Sequence, residues 1–302
     1  MKNILFFLGK GGVGKTTSSV SLAYYLARKG FSVYLVSIDP AHNIFDILGA
    51  NLSKNDEAII AEEVDIDAYV ENFIKETTNK MKQTYKYLQI INLDKMIEIM
   101  KYSPGMEEYA IMYALKEKVE ANLDKDYIIV DTPPTGLMLK IFALPFNSKL
   151  WINKLIKWRK KILNARASIA NINPSAIRED LPLNENEDDV LKELGIQSKI
   201  IDFMTNLFKN KTTKIILVLN QDLLSIKESV RIKKGLDSLG ISLNLILLNK
   251  KGLVNTTDIN ISFKNLFKDI PIKEVPFLKS NFLDKNTLIS LAELWADAVI
   301  CN

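Results

Sequence analysis

Short, wholly apolar runs alternate with stretches of helical periodicity along much of the chain. Ile4–Leu8 reads as a strand buried on both faces, as in a parallel sheet. Lys15–Arg28 follows as a helix, with Val20, Ala23, Tyr24 and Ala27 on one face and Gly30 as its stop. Val33–Ile38, Tyr127–Val130, Ile215–Leu219 and Leu243–Leu248 repeat the strand pattern, each β-branched-rich and set apart by helical stretches. Val64–Val70 and Ile272–Val275 are weaker strand candidates. This order predicts an α/β fold with a doubly wound, mostly parallel sheet.

Residues 71–125 and 146–211 carry no convincing strand and are long for connections within such a core. The expected division is therefore a core of 1–70, 104–145 and 212–302, with 71–103 and 146–211 as a helical subdomain packed against it. Asn184–Asp189 is acidic and polar and reads as a surface loop. Leu93, Met96, Ile97 and Met100 are spaced i, i+3, i+4, i+7, and Ile90, Ile91 and Ile99 spread the apolar surface. In 146–211, Trp151, Leu155, Trp158 and Ile162 share a face that Ile152, Ile156 and Leu163 broaden, opposite Lys154, Lys157, Lys160 and Lys161. A stripe of this kind is core or an open groove. Five of the seven methionines after Met1 fall between Met81 and Met112, and methionine's adaptability favours a groove for varied apolar ligands.

Composition changes this picture mainly by exclusion. With 302 residues and 47% hydrophobic positions, the chain is globular and not disordered. A net charge of +4, mostly lysine, does not argue for nucleic acid as a partner. The longest apolar runs are about five residues against the ~20 of a membrane-spanning helix, so no intrinsic span is expected. The apolar run after Met1-Lys2-Asn3 is too short for a secretory signal and leads into Gly9-Lys10-Gly11-Gly12. A single cysteine, Cys301, builds no internal disulfide and no cysteine zinc site within one chain, and the expected setting is a reducing cytoplasm.

The chemistry is concentrated at the end of the first strand. Gly9-Lys10-Gly11-Gly12-Val13-Gly14-Lys15-Thr16 fits the phosphate-loop pattern between a strand and a helix. Its glycines let backbone N–H groups converge on phosphate oxygens at a helix N-terminus. Gly11, Gly12, Val13, Gly14, Lys15, Thr16 and Thr17 are thus candidate nucleotide contacts, with Lys15 neutralising the β- and γ-phosphates and Thr16 ligating Mg²⁺. The expected ligands are ATP and Mg²⁺. Asp39 ends the second strand, where it can orient or deprotonate a water. Asp131 ends the next and can hold Mg²⁺ directly or through water. Either carboxylate could instead cap a helix, since both precede helical stretches. His42, the sole histidine, has no nucleophile to serve and is assigned to hydrogen bonding.

The loop, with its second lysine Lys10, resembles the deviant phosphate loop of the ATPase class that includes partition ATPases, the nitrogenase iron protein and arsenite-pump ATPases. Asp39-Pro40-Ala41-His42-Asn43 and Asp131-Thr132-Pro133-Pro134-Thr135-Gly136 look like the two switch loops of the arsenite-pump and tail-anchored-protein-targeting family. Pro104-Gly105-Met106-Glu107-Glu108 resembles a further segment of that family. The resemblance implies a P-loop NTPase fold and a nucleotide-sandwich homodimer. It implies that Lys10 reaches the partner's phosphates, the alternative being a solvated loop lysine. Gly136 would let the second switch swing. Asn249 would offer its amide to adenine, or be an ordinary strand-end residue, and Pro276 and Phe277 would cover the base. Glu228, near Arg231, would contact nucleotide across the dimer, or lie on a solvated helix face.

Within the family, the favoured expectation is a homodimeric targeting factor that binds the hydrophobic helix of a tail-anchored client and delivers it to a membrane receptor. The alternative is the ATPase subunit of an arsenite or antimonite efflux system, which would need several cysteine thiolates where this chain has Cys301 alone. The targeting branch's C-x-x-C zinc clamp is also missing. A partition or positioning ATPase fits less well, because Leu288–Ile300 has no Lys or Arg with which to hold DNA or a membrane. The nitrogenase-type protein needs two cysteines per chain.

Overall fold

The computed structural model describes residues 3–39, 44–48, 58–84, 105–177, 181–252, 263, 267–277 and 284–300. Seven strands form one sheet in the order β3-β2-β4-β1-β5-β6-β7, and every pairing is parallel. They are β1 (Asn3–Leu8), β2 (Val33–Ser37), β3 (Ile59–Glu63), β4 (Tyr127–Asp131), β5 (Thr213–Asn220), β6 (Leu243–Lys251) and β7 (Ile272–Pro276). The helices are α1 (Lys15–Arg28), α2 (Ile44–Leu48), α3 (Ile66–Thr84), α4 (Met106–Ala121), α5 (Thr135–Ile172), α6 (Asp189–Lys209), α7 (Leu223–Leu239) and α8 (Lys285–Glu293).

The central strands are apolar at every position because both faces of the sheet are covered. Ile4, Phe6 and Leu8 of β1 point into a core shared with α4, α5, α6 and α7. Leu5 and Phe7 point into a second core with α1, α8 and Trp295. Phe6, Phe142 and Phe208 meet edge to face, with centroids 4.7–5.9 Å apart, and fix α5 and α6 onto β1.

One expected strand moves. Residues 64–70 do not extend the sheet; β3 lies just before them, and α3 begins at Ile66. The Asp65 carboxylate accepts the Ala68 N–H at 3.0 Å and caps the new helix. Val70 and Ile74, four residues apart, then bury as a helical stripe and not as a strand face. At the other end, α8 is followed by a separate 3₁₀ turn at Ala296–Ala298.

The boundary expected at 145–146 falls inside α5. Pro145 sits within this 38-residue helix without ending it. α5 leaves the sheet and runs alongside α6, and an ion pair fastens the two. The Arg159 guanidinium donates to both Asp188 oxygens, at 2.6–3.1 Å, and Asp188 also accepts the Leu191 N–H at 2.7 Å. Asp188 is fully buried, so a planar bidentate partner is what makes its charge tolerable there. Among the described residues no helix is long and apolar enough to cross a membrane. The methionine-rich stripe around Met96 and Met100, His42 and Cys301 lie outside the described residues.

Candidate functional site

The strand order reverses direction around β1, which has β4 on one side and β5 on the other. In an open parallel sheet, the crevice beyond the strand ends at such a point is where ligands bind. The loop between β1 and α1 occupies it. Gly14 is the N-cap of α1 at φ 101°, and no side chain caps the helix. The first-turn N–H groups, with the positive end of the helix dipole, are therefore available to an anion. Two glycines are dictated by close approach. A Cβ at Gly9 would lie 2.6 Å from the Val218 carbonyl, and one at Gly14 would lie 2.3 Å from Asn249 Nδ2.

Four of the residues singled out in the sequence meet in pairs at this loop. The Lys15 side chain is only 5% exposed, and its Nζ lies 3.7 Å from an Asp39 oxygen. The Thr16 hydroxyl donates to Asp131 Oδ2 at 2.7 Å. Asp131 is buried, and its Oδ1 has no hydrogen-bond partner. Burial pushes its carboxyl up to about 6; the Thr16 hydroxyl and the Lys15 charge oppose the rise, and Asp39 adds to it. The Asp39 N–H donates to Ser37 Oγ at 3.3 Å.

The donor set suits a hard divalent cation. A hydroxyl and a carboxylate with an orphaned oxygen sit side by side, and among the described residues no group of three His, Cys, Asp or Glu side chains forms a cage. Mg²⁺ prefers such sparse oxygen ligation, completed by water and phosphate.

The other candidates are distributed around the loop. Val13 is buried, Thr16 and Thr17 are half-buried, and Lys10, Gly11 and Gly12 are exposed on its outer side. Asn249, at the end of β6, donates from Nδ2 to the Val13 carbonyl at 2.8 Å. Pro276 ends β7, and Phe277 follows it, 40% exposed, with its N–H on the Lys251 carbonyl at 3.0 Å. Glu228 is half-buried and Arg231 exposed on α7, and neither belongs to the hydrogen-bonded set at the loop. Sequence reasoning gave no role to Thr135, whose hydroxyl is buried and unpartnered one turn beyond Asp131. It also missed Asn220 and Gln221, whose Oδ1 and Nε2 are buried without partners at the end of β5. The available signal was their place, directly after a buried parallel strand next to β1.

Comparison with known proteins decides the family. The model of the anion-transporting ATPases matches residues 2–296. The chain belongs to this family. It is accordingly an ATPase, on the P-loop fold described above. Similar proteins include two from Aquifex aeolicus that carry the name arsenical pump-driving ATPase. One is 26% identical over 93% of this chain and 90% of its own length. The other is 27% identical over 96% of this chain and 78% of its own length. A protein of the same name from Prosthecochloris vibrioformis is 31% identical over 82% of this chain and 60% of its own length.

Proposed function

We propose that this ATPase is a homodimeric targeting factor in which ATP turnover controls the binding of a hydrophobic helix. The observation that carries the reading is the outer face of α5. Trp151 and Trp158 are 63% and 57% exposed, and Leu155, Ile162, Ile169 and Ile172 are exposed beside them. Together with Ala165 these positions step by alternate fours and threes, a strict apolar seam. Away from this face α5 packs against α6, Arg159 pairs with Asp188 and Leu163 is buried. The seam is therefore an additional surface and not the core. From Trp151 to Ile172 it spans roughly 32 Å at 1.5 Å per residue, close to the ~30 Å of bilayer hydrocarbon that a membrane-spanning helix crosses. Exposed Lys154, Lys157 and Lys161 border it and keep it soluble.

In this reading the N–H groups of Gly11–Thr17 cradle the phosphates of ATP, and Lys15 leaves Asp39 to pair with them. Asp39, so released, orients the attacking water and accepts its proton. Thr16 and Asp131 hold Mg²⁺, which when bound neutralises charge on the β- and γ-phosphates. Exposed Lys10 faces a second copy and reaches that copy's phosphates. Asn249 serves adenine with the remaining N–H of its amide, while Pro276 and Phe277 cover the base and Glu228 approaches from the partner. The exposed half of α5 holds the client for a membrane receptor.

A second reading takes its support from the names of the relatives: the ATPase subunit of an arsenical pump. One cysteine in this chain does not supply a multi-thiolate metalloid site. A photo-crosslinking peptide with a 20-residue apolar helix separates the two. The targeting reading expects ATP-dependent crosslinks to α5 that disappear in Trp151→Asp/Trp158→Asp, with no stimulation of hydrolysis by antimonite. Antimonite stimulation without crosslinks would favour the pump.

A further inference from the structure

The carboxyl end of β6 holds a hook over the phosphate loop. The pairing of β6 with β7 goes from Leu248–Glu274 to Lys251–Pro276, so two residues, Asn249 and Lys250, stand opposite one. This is a bulge, a device that re-aims side chains next to functional sites. Lys250 sits in it at φ 56°, the one non-glycine residue with positive φ among the described residues. Its N–H donates to Asn249 Oδ1 at 2.8 Å, which locks the pair together. From there the Asn249 amide donates to the Val13 carbonyl and Lys250 Nζ to the Gly12 carbonyl, each at 2.8 Å. Adjacent loop carbonyls are thus gripped from one side.

A trans peptide points its C=O and its N–H in opposite directions. Fixing the Gly12 and Val13 carbonyls toward β6 turns the N–H groups of Val13 and Gly14 to the other side. These are N–H groups that a phosphate must find. A cation on the Gly12 carbonyl also polarises that peptide and strengthens its N–H as a donor to an anion. A lysine on a strained residue would be a costly way to satisfy one exposed carbonyl, since glycine fits this backbone without strain.

We propose that Lys250 is a positioning residue for phosphate binding: acting with Asn249 through the loop carbonyls, it presets the Val13 and Gly14 N–H groups for a nucleoside diphosphate or triphosphate. The proposal rests on the phosphate-loop assignment above and is independent of the client. Titration calorimetry with ADP and ATP on the full chain tests it. Lys250→Met should weaken both nucleotides by about tenfold, the scale of one charge-assisted hydrogen bond at an exposed donor, and Lys250→Arg should restore most of the loss. Lys250→Gly is the discriminating variant. It relieves the positive φ, so the nucleotide-free protein should unfold at the same or higher urea concentration while binding ADP as weakly as Lys250→Met. ADP affinity within twofold of wild type in Lys250→Met, with binding abolished in Lys15→Ala, overturns the hook and leaves the loop assignment standing. ADP affinity retained in Lys15→Ala overturns the loop assignment itself. Normal ADP binding by Lys250→Gly shows the lysine to be structural and also overturns the proposal.

Discussion

Asp131→Asn should make the nucleotide-free protein more stable while stopping its chemistry. Asp131 is buried beside Asp39, one of its oxygens has no partner, and its carboxyl is held up at about 6 against an ordinary 3.8. That rise of about two pH units corresponds to roughly 3 kcal/mol at ~1.4 kcal/mol per unit. The sign follows from proton uptake. Between about pH 4 and 6 the folded state keeps a proton that the unfolded state has released, so stability falls as pH rises. Above pH 6 the full penalty is present. Asparagine removes the charge and can still accept the Thr16 hydroxyl, but it buries an amide N–H in place of the orphan oxygen at a cost of about 1 kcal/mol. The net expected gain is about 2 kcal/mol at pH 8, against a total stability of roughly 5–15 kcal/mol. Urea unfolding of both proteins in EDTA, without nucleotide, from pH 4.5 to 8 provides the measurement, and subtraction cancels the other carboxylates. The difference should grow across pH 4–6 and then level off. A flat difference, or an asparagine variant less stable at pH 8, would refute the account of a carboxylate kept in an unfavourable place for a cation.

Lys15→Ala should abolish Mg-dependent ATP binding in calorimetry, because it removes the buried cation at the loop. Asp39→Asn should bind ATP near normally and lose hydrolysis in a phosphate-release assay; wild-type turnover would refute the base assignment. Mixing Lys10→Ala with Asp39→Asn chains should restore activity at one site per mixed dimer, and no recovery in mixtures shown to exchange subunits would place Lys10 outside the partner's site. Asp188→Ala should cost about 3–5 kcal/mol in urea unfolding, since it strands Arg159 and uncaps α6; a loss below ~1 kcal/mol would show the pair to be dispensable.

The sheet was legible because parallel strands buried on both faces announce themselves as unbroken apolar runs, as at β1 and β5. β3 was not, because it is an edge strand, half exposed, with Glu62 and Glu63 in its last turns of pleat. The phosphate loop was legible through glycines whose spacing only a few chemistries require. Lys250 was invisible for the opposite reason. It is one lysine among many, and its meaning lies in a backbone bulge and a positive φ that no local pattern encodes. The α5 stripe was visible as apolar periodicity, yet whether it faced core or solvent depended on how α5 packs against α6, which the periodicity does not encode.

That asymmetry bears on how the two ends of the molecule communicate. α5 begins at Thr135, four residues after Asp131, and continues without a break to Ile172. At 1.5 Å per residue it is roughly 57 Å long. Its first turns are clamped to the sheet by Met138, Ile141 and Phe142, and its far half carries the exposed tryptophans. Were nucleotide to displace the Asp131–Thr135 segment, that displacement would enter the helix at its N-terminus. The helix is not uniformly stiff, because Pro145 removes one N–H from the ladder just where the core contacts give way to the exposed half. In the proposed targeting reading, a small rotation at the phosphate site would become a larger swing of the seam, hinged at Pro145 and steadied by the Arg159–Asp188 pair. In that reading the coupling would need no separate relay between site and stripe, because the backbone that follows the Asp131 loop is the one that carries the exposed tryptophans.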